Sequence, residues 1–106
     1  MNRPKLEILD NRIVYDIDGV KYLTANDFAK LLDRSRQSID TLIRHGNRIR
    51  KMKSYHDDKN KIYVPLSEVT EFPFCMQGID GHVYHYSLTG KRIVTDKKVS
   101  EYLKEV

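Results

Sequence analysis

Ser35-Arg36-Gln37-Ser38, with Thr41 and Arg44 one turn further on, gathers the side-chain types best suited to reading a polyanion. Arginine offers planar, paired donors to phosphate or guanine, and glutamine pairs in the same two-pronged way with adenine. Serine and threonine hydroxyls suit phosphate oxygens. These residues lie in a longer basic run. From Arg34 to Lys61 stand nine bases and three acids, a net +6, whereas the whole chain carries only +4. Five of the nine are Arg, and a localised basic window of this kind is the footprint of a nucleic-acid binder rather than of an evenly solvated lysine surface. Arg48, Arg50, Lys51, Lys53, Lys59 and Lys61 extend the run toward the backbone of a duplex, and Tyr55 adds a phenol that can reach a phosphate or stack on a base. Tyr63 reads as a half-buried strand residue.

Other chemistries are poorly served. His82 and His85 near Cys75 give too few ligands at zinc spacing, and positions three apart on a strand point to opposite faces. No metal site is expected. Cys75 reads as a buried structural thiol. The chain shows neither a glycine-rich phosphate loop, nor a serine elbow, nor a paired-carboxylate pocket, so no enzyme activity and no cofactor are expected.

The elements that must position these residues follow from periodicity. Asp18-Gly19 between β-branched and aromatic residues predicts a hairpin over 13–17 and 20–23. Thr24 is placed to cap a helix, with Asp27 three residues on, and Phe28, Leu31 and Leu32 form its core stripe. Ala29 allows close approach of a neighbouring helix. Ser35 caps a second helix with Ile39, Leu42 and Ile43 inward, and Gly46 ends it in the left-handed conformation. Two capped helices joined by about three residues are the sequence form of a helix-turn-helix. Ile49–Tyr55 and Lys61–Val64, around the polar turn His56–Asn60, predict a basic hairpin placed as a wing. Ser67–Glu71 reads as a short helix. Asp80-Gly81 and Thr89-Gly90 bracket His82–Leu88, which with Lys91–Thr95 predicts a second hairpin. Thr95 or Asp96 is placed to cap a last helix with Val99, Tyr102, Leu103 and Val106 on one face, a stripe for core packing or for a homodimer contact.

The run Tyr22-Leu23-Thr24-Ala25-Asn26-Asp27-Phe28-Ala29-Lys30-Leu31-Leu32-Asp33, then Ser35 to Gly46, then a hairpin ending Ile62-Tyr63-Val64-Pro65-Leu66-Ser67-Glu68-Val69, resembles the excisionase/MerR-type winged helix-turn-helix family. The resemblance covers about residues 22–72. It implies a sequence-specific double-stranded DNA-binding protein of phage, plasmid or bacterial type, a transcription regulator or a recombination or replication accessory factor. The helix beginning at Arg36 would enter the major groove, and the wing would hold the backbone. The N-terminal hairpin and the last thirty residues lie outside the resemblance.

Two further readings stay open. Leu42-Ile43-Arg44-His45-Gly46 also looks like part of the alpha-L motif of structured-RNA binders, without the turn that normally follows it. A winged-helix scaffold can equally serve as a protein-interaction or phage assembly adaptor, since fold does not fix function. The expected architecture is α+β: one domain over 1–106, with a winged helix-turn-helix core at 22–72, an added N-terminal hairpin, and a hairpin plus helix at 75–106. Its 106 residues suffice for one core, burying roughly 65% of the extended surface. That length excludes two catalytic domains or a long repeat array. No apolar run of about 18 residues predicts a membrane span, and residues 1–7 do not read as a signal peptide. A single cysteine excludes an internal disulfide and fits a cytoplasmic location.

Overall fold

The computed structural model describes residues 5–9, 11–76 and 81–104, with side chains at 11–76 and 81–103. Among these residues the chain forms an α+β arrangement of two antiparallel sheets and four helices. The expected hairpin is present as β2 (Arg12–Ile17) and β3 (Val20–Thr24), joined through Asp18 and Gly19 at φ +53° and +84°. Two successive positive φ values make the turn that matches strand twist, and the Gly19 amide is held by Asp16 Oδ1 at 3.0 Å. A strand the periodicity did not signal, β1 (Lys5–Leu9), pairs with β2 and lengthens this unit.

Thr24 ends β3 and caps α1 (Ala25–Leu31), its hydroxyl accepting the Asp27 amide at 3.2 Å. Asp33, at φ +54°, turns the chain, and Ser35 caps α2 (Arg36–Arg44) by accepting from the Ser38 amide at 3.0 Å. Both caps fall where the side-chain chemistry places them. Gly46 ends α2 at φ +75°, and its amide reaches the Thr41 carbonyl at 3.1 Å.

The expected long wing strand does not form. Residues 49–54 have no strand pairing; only β4 (Tyr55–His56) pairs with β5 (Ile62–Pro65). Side chains and a helix end capture the backbone groups that would have made a ladder. Asn47 Oδ1 accepts the Ile49 and Arg50 amides, the Met52 amide goes to the Leu42 carbonyl at 2.9 Å, and the Lys53 amide goes to Glu68 Oε2 at 2.9 Å. Strand β5 pairs with β3, so the first sheet runs β1-β2-β3-β5-β4.

The helix α3 (Ser67–Glu71) forms as expected and leads into β6 (Phe74–Cys75), a short strand the sequence did not announce. It pairs with β7 (His82–Tyr86), which pairs with β8 (Arg92–Lys98). The second hairpin is thus present, closed at Ser87–Lys91. Its last helix, α4 (Val99–Lys104), starts later than expected. Thr95 and Asp96 belong to β8, and the Thr95 hydroxyl donates to the Val83 carbonyl at 2.7 Å, so neither caps α4. Val99 is fully buried and Leu103 exposed; Asp80 and Val106 lie outside the described residues.

One core joins both sheets to the helices. Val14, Leu23 and Val64 face inward from the first sheet, against Phe28, Ala29, Leu31 and Leu32 of the first helical segment, Ile39 of α2 and Val69 and Phe72 of the third. Ile39 is fully buried, whereas Leu42 and Ile43 only pack on the core's margin. Phe74, Tyr84 and Tyr86 carry the core into the second sheet, with Phe74 4.8 Å from Phe72 and 5.0 Å from Tyr86 between ring centres. Gly90 lets the β7–β8 turn dock on the end of α1: a Cβ there would collide with the Leu31 carbonyl oxygen.

Candidate nucleic-acid interface

A helix that buries Ile39 must present the opposite side to solvent. Gln37, Thr41 and Arg44, spaced four and three residues apart, form that exposed stripe along α2. The Thr41 hydroxyl donates to the Gln37 backbone carbonyl at 3.0 Å. Ser35 is exposed beside its cap bond, and Ser38 is half-exposed. Arg36 is more constrained than expected. Its Nε donates to Asp40 Oδ1 at 2.9 Å and its Nη1 to Asn26 Oδ1 at 2.9 Å, tying α2 to α1.

Lys51 and Lys53 flank Met52, which is buried and bonded to the end of α2. Their side chains are exposed on either side of that anchor, next to the C-terminal end of the Gln37–Arg44 stripe. Arg50, between them and the helix, has a different role. Its guanidinium grips Glu68 through two bonds of 2.8 Å and lies 4.9 Å over the Phe72 ring. Glu68 is 1% exposed, and its bond to Arg50 holds the guanidinium's pKa above the ordinary value against the opposing effect of burial. Arg48 is exposed, with its charge and backbone against Cys75. Burial nonetheless pushes the half-buried Cys75 thiol up.

Lys59 and Lys61 are exposed at the β4–β5 turn, where the Asp57 carboxylate accepts both backbone amides at 2.9 and 2.8 Å. Those bonds, led by the one from Lys61, hold the Asp57 carboxyl below the usual range. Tyr55 is exposed and tilts against Tyr22 and Tyr63, with centroids at 5.8 and 6.0 Å. Tyr63 is buried, more deeply than the half-buried strand position expected of it.

Of the sequence-nominated residues, the fold brings Ser35, Gln37, Ser38, Thr41, Arg44, Lys51 and Lys53 onto α2 and the segment bonded to its end. Lys59, Lys61 and Tyr55 stand apart at the hairpin, and Arg50 is committed to Glu68. One group escaped the sequence reading. Arg34 lies 4.6 Å over the Phe74 ring and donates to the hydroxyls of Ser38, Tyr86 and Tyr84, while Arg92 covers the Tyr84 ring at 4.5 Å. The alternation of Tyr84 and Tyr86 put them on one face of a strand, but nothing local paired that face with Arg34, fifty residues earlier.

Among the described residues, no three His, Cys, Asp or Glu side chains gather as a metal site, and no helix is long and apolar enough to cross a membrane. Comparison of the chain with protein-family models, curated proteins and solved structures gives no match.

Proposed function

We propose that the protein binds double-stranded DNA in a sequence-selective manner, with α2 in the major groove. The observation that carries this reading is the solvent-facing stripe Gln37–Thr41–Arg44 on a helix whose other side is anchored by Ile39. The order β3–α1–α2–β4–β5, with strands arranged β3-β5-β4, agrees with a winged helix-turn-helix. Lys51 and Lys53 take phosphates at the end of α2, and Lys59, Lys61 and Tyr55 take the backbone farther along the short hairpin. Gln37 is the base reader, adenine its natural partner. Arg36 already spends Nε on Asp40 and Nη1 on Asn26, so each edge it could turn to guanine, Nε with Nη2 or Nη1 with Nη2, includes one engaged nitrogen.

Selection from a random oligonucleotide pool, followed by titration of the selected and a scrambled duplex, tests this. Gln37→Ala should cost about 1–3 kcal/mol on the selected duplex and little on the scrambled one. Lys51→Ala with Lys53→Ala should weaken both alike and flatten the log–log salt slope by about 0.9 for each phosphate no longer neutralised. Absence of salt-dependent duplex binding, with retention of a structured RNA or of a protein partner instead, would overturn the reading.

A further inference from the structure

Arg34 and Arg92 meet across the junction of the two halves of the chain. Together they line two adjoining clefts of about 410 and 370 Å³, the first completed by Leu32, Asp33, Tyr86 and Gly90, the second by Cys75, Met76 and Tyr84. The Gly90 turn, docked on the end of α1, brings Arg92 to Arg34. Among the described residues Arg34 has only neutral hydrogen-bond partners: the Ser38 hydroxyl at 3.2 Å, the Tyr86 hydroxyl at 3.4 Å and the Tyr84 hydroxyl. Asp33 lines the first cleft, yet among the described residues neither guanidinium forms an ion pair with a carboxylate. Hydroxyls and ring faces orient a guanidinium but do not neutralise it, and two like charges sharing a cleft repel.

Burial would raise the Tyr86 phenol, yet the bonds and charge of Arg34, joined by Arg92, outweigh it and hold that phenol below its ordinary value. Burial prevails at the Tyr84 phenol and pushes it up, although the charges of Arg34 and Arg92 pull it the other way. At both phenols, then, the two arginines favour negative charge. Arg34 gives one N–H from each of Nε, Nη1 and Nη2 to these hydroxyls, so its second N–H on Nη1 and on Nη2, with the Arg92 guanidinium, are the donors for a tetrahedral oxyanion. The Arg34–Ser38 bond makes the cleft continuous with the first turn of α2.

We propose that the Arg34–Arg92 cleft is a phosphate-binding site, filled by a backbone phosphodiester of the duplex whose groove α2 enters. The inference rests on the duplex-binding reading for the source of the phosphate, and on the cleft alone for the chemistry. It brings the C-terminal hairpin into binding, since Arg92 clamps the strand flanking the start of α2 while Lys51 and Lys53 hold the strand beside its end.

Arg92 is exposed, so Arg92→Gln should leave the fold intact, which near-ultraviolet circular dichroism checks. Binding of the wild type, Arg92→Gln and Arg92→Lys to the selected and the scrambled duplex is measured across salt concentrations. If the site holds a backbone phosphate, Arg92→Gln weakens selected and scrambled duplexes equally and flattens the slope by about 0.9, with Arg92→Lys between the two. A wild-type slope in Arg92→Gln overturns the inference while leaving duplex binding standing. If the wild type binds no duplex, the preceding reading fails, and a second arm decides this one. Inorganic phosphate, against chloride at matched ionic strength, is titrated into isotope-labelled protein while the side-chain Nε signals of Arg34 and Arg92 are followed. Movement of both with phosphate, abolished for Arg34 in Arg92→Gln, keeps the site with free phosphate as its source; unmoved signals overturn it.

Discussion

Arg50 and Glu68, eighteen residues apart, are locked by two parallel bonds of 2.8 Å, and the same carboxylate also takes the Lys53 amide. A charge of the basic window thereby helps fix the path of residues 50–53 ahead of β4. Glu68 is buried, so loss of Arg50 would leave its carboxylate without that partner. Arg50→Ala should destabilise the protein by about 3–5 kcal/mol, toward the low end because a third of the arginine reaches solvent. Urea titration measures this. A loss under about 0.5 kcal/mol would show the pair to be a surface contact only.

The two apolar positions of α2 should separate in the same assay. Ile39→Ala removes a fully buried side chain and should cost about 2–5 kcal/mol. Leu42→Ala acts at the half-buried margin and should cost roughly 1–2 kcal/mol, in proportion to the apolar area involved. Equal losses would mean that α2 is rotated from the orientation that exposes Gln37.

Gly19 and Gly90 offer a matched pair, with φ of +84° and +85°. A side chain at either is strained, but only at Gly90 does it also strike the Leu31 carbonyl oxygen, since nothing stands within 4 Å of a Cβ at Gly19. Gly19→Ala should cost about 1 kcal/mol and Gly90→Ala about 3 kcal/mol or more, by thermal or urea unfolding. Gly90→Ala should also speed amide exchange in the β7–β8 hairpin. Similar stabilities for the two variants would argue against close docking of that hairpin on α1.

The β4–β5 turn should loosen in acid. The pKa of Asp57 is lowered in the folded chain, chiefly by the Lys61 amide. Its contribution is therefore present above the ordinary carboxylate pKa of about 3.9 and is lost as pH falls through the lower folded value. Protection of the Lys59 and Lys61 amides, their exchange rates divided by the intrinsic rates at each pH, should fall across that window in the wild type and stay level in Asp57→Asn. Matching pH profiles for the two proteins would remove Asp57 as the cause.

Elements made by local bonds are legible in the sequence. Thr24 and Ser35 cap helices with their own side chains, and Asp18-Gly19 turns the chain by its own backbone preference. Where sequence and structure part, the cause lies at a distance. Residues 49–54 have strand composition, but Asn47, Leu42 and Glu68 take their amides, two of them from other elements. Arg50 reads as one of nine bases until Glu68, buried and remote in sequence, claims it. Arg34 belongs to the same basic run but has no place in it, because Tyr84 and Tyr86 reach it only once the chain has folded back over fifty residues.

The pairing of β3 with β5 sets Leu23 opposite Val64, closing a loop of about forty residues that contains both helices and the β4–β5 turn. The helical pair can start locally, but the surface it packs on is complete only when that loop closes. Its closure entropy is lost before the long-range contacts are gained, so this step, rather than helix formation, should set the folding rate. The residues that the sequence nominates for DNA contact, Ser35 to Lys61, lie inside the loop, whereas Arg92 lies outside it. The chain would therefore acquire the basic face of residues 35–61 in one late event, with α2 and the β4–β5 hairpin arriving together.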